Sequence, residues 1–234
     1  MKNNYFIIGT GRSGTHWLGH ILEESSEINV QIEDQPIFKW VTQAAINKNK
    51  RKYLLPLIIL YYYKYTFFSK KHFVDKSHPN LWLADHLIRY IPKSYFIGII
   101  RNPYATISSM LLHRGVLGWI KNWEDYPVPN EFLGIEKNNT EQYSAMSLEE
   151  KCAMRWKAHK KRLEEIKNKY PGRTLIVNYD DLIENTGEEM ARLNSFLEID
   201  KKLPMPNVKV ESKDKWKEKL TKDQIDNINK ILSN

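Results

Sequence analysis

Cysteine is almost absent: Cys152 stands alone among 234 residues, so no disulfide forms within the chain, and a reducing, cytoplasmic setting is expected. Long apolar runs are also missing. The most apolar stretch beyond the N-terminus, Tyr53 to Phe68, is broken by Pro56 and Lys64 and falls short of the roughly 20 residues of a membrane span. It is expected to form a buried helix with aromatic edges. A surface resting on a membrane is the rival reading, because Tyr61, Tyr62, Tyr63, Phe67 and Phe68 gather beside Lys70 and Lys71. Met1 to Asn4 lead straight into an apolar strand, so no secretory signal is expected there. The seven histidines are scattered away from cysteine and carboxylates at ligand spacing, so no metal is expected. There is no G-x-S-x-G hydrolase elbow and no repeat.

What is present is an ordinary globular composition with a basic excess. Apolar residues make up 41% of the chain and aromatics 12%, enough for one sizeable core. Lysine and arginine outnumber aspartate and glutamate by 36 to 28. The resulting +8 favours anionic partners: nucleotides, sulfated or phosphorylated molecules, nucleic acid or lipid headgroups. Short β-branched or aromatic runs alternate with longer helical ones, which predicts a single α/β domain over 1–234 with a mostly parallel central sheet flanked by helices. The expected strands are Tyr5 to Ile8, Phe73 to Val74, Tyr95 to Ile100 and Thr174 to Val177. Ser147 with Glu150, Thr186 with Glu189 and Thr221 with Gln224 have capping-box spacing and predict three helix starts. His113 to Met146, rich in glycine, proline and asparagine, reads as a long loop with short elements, of the kind that covers a site. Pro204 to Trp216 reads as a second such loop.

Gly9-Thr10-Gly11-Arg12-Ser13-Gly14-Thr15-His16 lies between an apolar strand and helically spaced Trp17, Leu18, Ile21 and Leu22, a P-loop-like arrangement. Glycines let successive N–H groups turn onto an anion, and the helix N-terminus adds partial positive charge there. Arg12, Ser13, Thr15 and His16 supply further donors. Laid on the Walker A pattern, Thr15 falls where lysine belongs, so an ATP or GTP site of that type is not expected. A second cation, Arg101, ends the strand from Tyr95 and precedes Asn102-Pro103 and a helix over Ala105 to Leu112. Ser109 falls inside that helix. Alone, such an arginine equally well ties a turn.

Together, G-T-G-R-S-G-T-H-W-L and R-N-P-Y-A-T-I-S-S-M resemble the 5′-phosphosulfate loop and the 3′-phosphate motif of sulfotransferases that use 3′-phosphoadenosine 5′-phosphosulfate (PAPS). The resemblance continues through Trp156, Leu175 to Leu182 and Ser212 to Leu220 and so covers most of the chain, but weakly between Phe38 and Lys71. It implies that Gly11, Arg12, Ser13, Gly14, Thr15 and His16 hold the 5′ end of PAPS, and that Arg101 and Ser109, with Ser212 and Trp216, hold the 3′ end. Asp75-Lys76-Ser77-His78-Pro79 resembles the K-[ST]-H motif of the small-molecule enzymes, which makes Lys76 a second cation on the sulfonate and His78 the general base. Gln31 to Pro36 looks like the carboxylate segment of carbohydrate and protein-tyrosine enzymes, which makes Glu33 the competing base. Spacing does not separate the two, and each has a plain alternative: His78 as a packed helix entry, Glu33 as a solvated turn.

The implied activity is transfer of a sulfonate from PAPS to a hydroxyl or amine of a small-molecule, carbohydrate or lipid-linked acceptor, leaving adenosine 3′,5′-bisphosphate and needing no metal. Two rival classes stand beside it. A P-loop kinase or NTPase would want a lysine after Gly14, and a basic nucleotide- or nucleic-acid-binding module would want a recognised nucleic-acid motif, of which the sequence has none.

Overall fold

The computed structural model describes residues 2–208 and 213–233. In chain order the elements are β1 (Asn4–Gly9), α1 (Thr15–Glu23), β2 (Ile28–Ile32), α2 (Ile37–Ile46), α3 (Lys48–Phe68), β3 (His72–Lys76), α4 (Ala84–Tyr90), β4 (Ser94–Ile100) and α5 (Pro103–Leu111). They continue with α6 (Arg114–Lys121), α7 (Thr140–Ala145), α8 (Leu148–Lys169), β5 (Thr174–Asn178), α9 (Tyr179–Glu184), α10 (Thr186–Leu197) and α11 (Lys222–Ser233). The strands form one parallel sheet in the order β2-β3-β1-β4-β5.

Period-two alternation divides the core into two layers. Phe6, Ile8, Phe73 and Phe96 face a large cluster built with α2, α8 and the 3-10 turn His78–Leu83. Tyr5, Ile7, Val74, Ile97 and Ile99 face a smaller one with Leu18 and Leu22 of α1 and Met190, Leu193 and Leu197 of α10. From β1 the chain leaves through α1 toward β2, and from β4 it leaves in the opposite direction toward β5. In an open parallel sheet that reversal opens a crevice at the carboxyl ends of the strands, where ligands bind. Gly9, Glu33, Lys76, Arg101 and Tyr179 all sit at or just past those ends.

Three expectations need correction. Tyr53 to Phe68 belongs to a longer helix, α3, which starts at Lys48 under an Asn47 cap and runs through Pro56. It is not buried: Ile58 and Tyr62 are enclosed, but Tyr53 and Phe67 are each 70% exposed and Leu60 67%. Apolar residues encircle this helix, yet α2 and β3 cover only one side of it. Second, β2 was absent from the expected strands; it is an edge strand paired only to β3, and Asn29 and Gln31 dilute its apolar signal. Third, α10 does begin at Thr186, but the hydroxyl of Thr186 donates to the Ile183 carbonyl instead of capping. The other two capping boxes form as expected, Ser147 with Glu150 and Thr221 with Gln224. His113 to Met146 holds the short helices α6 and α7 between irregular turns.

Candidate active site

The loop after β1 is shaped by its glycines. Gly14 has φ +94°, and a Cβ there would lie 2.4 Å from the Tyr179 ring. A Cβ on Gly11 would lie 2.9 Å from His78 Nε2, so the loop is pressed against the end of β3. The turn closes through Ser13 N donating to Thr10 O at 3.2 Å. α1 then starts at Thr15 without a side-chain cap, leaving the partial positive charge of its first turn at the loop. Two contacts fasten the loop to α5: Ser13 Oγ lies 3.4 Å from Thr106 Oγ1, and Arg12 Nε donates to Ser109 Oγ at 3.1 Å. Arg12 is exposed, whereas Ser13 and Thr15 are buried.

Beside the loop is a compact charged cluster. Register sets Ile32 opposite Lys76, and Glu33 N donates to Lys76 O at 3.2 Å. Lys76 Nζ donates to Glu33 Oε1 and lies 2.8 Å from His16 Nδ1. His78 Nδ1 lies 3.4 Å from the same carboxylate oxygen, and His16 Nε2 is 3.5 Å from Glu33 Oε2. Burial pushes the Lys76 ammonium down, and Glu33 opposes that. Burial also pushes the Glu33 carboxyl up, but the His78 ring 3.4 Å away and the Lys76 ammonium outweigh it and hold Glu33 at about 2. His78 is pushed down to about 4, chiefly by burial, with the Lys76 charge adding to it. The two base candidates differ in access: the side chain of Glu33 is 23% exposed and that of His78 6%.

A buried network under this cluster was not legible in the sequence. Asp75 Oδ1 accepts from Tyr62 OH at 3.0 Å, Asn80 Nδ2 at 2.8 Å and Ser77 N at 3.0 Å, while Ser77 Oγ donates to Oδ2 at 3.3 Å. Asn80 Nδ2 also donates to Tyr62 OH at 2.7 Å. Burial lifts the Asp75 carboxyl to about 7 although four donors point at it. The network fixes the turn that carries Lys76, Ser77 and His78. Its one sequence signal was a carboxylate inside a strand enclosed on both faces.

At the next strand end, the Arg101 guanidinium lies 4.2 Å from the centre of the Tyr179 ring, which meets Trp17 edge-on at 5.3 Å. Asn102 caps α5 through Ala105 N, and its own N–H donates to Asp180 Oδ2 at 3.0 Å. Tyr179 therefore touches both the Gly14 turn and Arg101, joining the two basic junctions. Ser109 is held differently from its grouping with Arg101 in the resemblance, since its hydroxyl accepts from Arg12. Trp216 stacks on Tyr104 of α5 at 4.7 Å, and Trp156 is buried in the core. Ser212 lies outside the described residues. Among the described residues, no group of histidine, cysteine and carboxylates is arranged to hold a metal.

A sequence profile of the sulfotransferase family matches residues 5–202. The chain also resembles the solved sulfotransferase domain from the curacin biosynthetic pathway, at TM-score 0.60 and 15% identity over 100% of this chain and 98% of that one. The sulfotransferase domain of the Synechococcus PCC 7002 olefin synthase matches at TM-score 0.61 and 14% identity, covering 99% and 96%. Mouse sulfotransferase SULT7A1, solved in complex with PAP, matches at TM-score 0.54 and 14% identity, covering 100% and 84%. At these identities the likeness is one of fold. No curated protein matches the sequence.

Proposed function

The chain belongs to the sulfotransferase family, and from that premise we propose that it moves a sulfonate from PAPS to a hydroxyl or amine of a small-molecule, carbohydrate or lipid-linked acceptor. One contact carries the reading: Lys76 Nζ lies 2.8 Å from His16 Nδ1. It brings the lysine that ends β3 to the mouth of the loop that follows β1.

In this reading the loop N–H groups, Ser13, Thr15 and the start of α1 hold the 5′-phosphosulfate, and Arg101, Ser109 and Trp216 hold the 3′ end. The sulfur–oxygen bond to the 5′-phosphate breaks as a bond forms to the acceptor oxygen or nitrogen. The acceptor proton passes to a base, and negative charge collects on the departing phosphate oxygen. By analogy with loose phosphoryl transfer, positioning and fixed cations do most of the work. Arg12 and Lys76 supply those cations.

Glu33 is the base we assign, because its carboxylate is reachable where the His78 ring is enclosed. At rest it is a poor base, held at about 2 by its partners. Attraction of Lys76 toward the sulfonate removes one of those partners and raises its basicity when donor is bound. His78 then serves to position Glu33 and to support Gly11. The buried, free Cys152 is in keeping with a cytoplasmic location.

The test is incubation with 35S-labelled PAPS and a mixed metabolite extract, followed by mass identification of the labelled product. A labelled small molecule with wild type and none with Arg12→Ala supports the assignment. Transfer of phosphate from ATP with magnesium, and none from PAPS, would replace it with the kinase reading.

A further inference from the structure

The basic excess is not spread over the molecule. Residues 35–74 contain eight lysines and arginines and no aspartate or glutamate, while the rest of the chain balances 28 cations against 28 anions. The chain's entire net charge of +8 therefore sits on α2, α3 and their flanks. The same segment carries the most exposed apolar stripe among the described residues: Tyr53, Leu57, Leu60, Tyr63 and Phe67, spaced to share one side of α3. Between that stripe and Trp40 lies a groove of about 580 Å³ with an almost wholly apolar lining. Lys50 and Lys52 at one end, Lys64 in the middle and Lys70 and Lys71 at the other are all exposed.

We propose that the outer side of α3 docks the protein onto an anionic lipid bilayer, with the Tyr53–Phe67 stripe seated among the headgroups and the lysines on acidic phosphates. This inference does not depend on which group the enzyme transfers. Apolar residues ring α3; with its inner side covered by α2 and β3, the outer stripe, rimmed by lysine and without acidic residues, is the side left to meet a headgroup layer. Tyrosine and phenylalanine suit the boundary between headgroup and acyl chain, and lysine stems reach past an apolar face to place the ammonium in the polar layer. No helix of the described residues is long and apolar enough to cross a membrane, so the contact is peripheral. A second copy of the chain fits the stripe poorly, because face-to-face pairing would set five lysines against five.

The inner side of α3 connects this surface to the catalytic edge. Tyr62 donates to Asp75 beneath Lys76, and Tyr61 OH donates to Gln31 Oε1 of β2 at 3.3 Å. On α2, the Phe38 ring lies 6.0 Å from the His78 ring, and Trp40 lines the groove.

The test is flotation of the intact protein with vesicles of phosphatidylcholine alone or mixed with phosphatidylserine. Wild type is expected to float with the mixed vesicles, to leave them as salt rises, and to stay behind with phosphatidylcholine alone. Lys70→Gln with Lys71→Gln should lower partitioning about 30-fold. Leu60→Ser with Phe67→Ser should lower it at least about 10-fold, with the melting temperature unchanged. Equal binding to both vesicle types, or to neither, overturns the proposal. So does light scattering that shows a wild-type dimer which the Leu60→Ser, Phe67→Ser variant dissociates.

Discussion

At the carboxyl edge of the sheet this protein encloses charge, and on the outer side of α3 it exposes hydrocarbon. Lys76 and Asp75 are fully buried and His78 is 5% exposed, whereas Leu60 and Phe67 are 67% and 70% exposed. Each departs from the usual arrangement, in which charge is solvated and large apolar groups are enclosed. The departures have different physics. At the edge, Lys76 and Asp75 each have partners: Glu33 and His16 for Lys76, and Tyr62, Ser77 and Asn80 for Asp75. That fixes geometry and holds ionisable groups away from their ordinary pKa values, as a reacting site requires. On α3 the apolar stripe has lysines around it, an arrangement suited to a boundary and not to a core.

The contrast is sharpest where substitution should affect chemistry without affecting the fold. Glu33→Gln keeps the shape of the cluster and should lower kcat about 10²- to 10⁴-fold, with donor affinity little changed by calorimetry. A loss confined to donor affinity would move Glu33 out of the base role. Within α3 the two sides should separate. Ile58→Ala on the enclosed side should cost about 2–5 kcal/mol in chemical unfolding, and Leu60→Ser on the outer side less than about 0.5 kcal/mol. Comparable costs would mean that the outer side is a hidden core. Tyr62→Phe removes one donor to Asp75 and leaves Asn80 facing an aromatic edge. An unfolding cost of about 1–3 kcal/mol is expected, with a fall in kcat larger than any change in donor KM.

A pH profile probes the enclosed charge at the edge. His78 is held at about 4 in the folded protein against 6.5 ordinarily, so the unfolded chain takes up this proton first as pH falls. Its contribution to stability is complete above about pH 6.5 and is lost as pH drops toward 4. His159, also buried and pushed well down, adds a loss of the same sign. His78→Gln should make the fall in urea midpoint across that window shallower by about one proton. An unchanged slope would mean that His78 is not held neutral by burial.

How much the sequence disclosed follows from the range of the interactions concerned. The Gly9 loop and the Arg101 junction were legible because strand, glycine turn and helix start are set by neighbours along the chain. The interior strands β3, β1 and β4 and the edge strand β5 were legible for the same reason, since each is a short apolar run bounded by turns. β2 escaped because Asn29 and Gln31 interrupt its apolar residues, which an edge strand with one partner tolerates. The apolar run placed a helix at Tyr53 to Phe68 but carried no information on which side would find a neighbour, and the expectation of burial failed there. The Asp75 network was invisible because Tyr62 approaches from another element and meets the carboxylate only after α3 docks on β3. Nor did spacing link Arg12 to Ser109, a contact made across 97 residues.

The measurement closest to the central claim is the melting temperature of the full chain with adenosine 3′,5′-bisphosphate in the absence of metal, compared with ATP plus magnesium. At a hundredfold excess over its Kd the bisphosphate should raise it by about 5–10 °C, and Arg101→Ala should abolish most of that rise. A rise with ATP and magnesium, and none with the bisphosphate, would contradict the account.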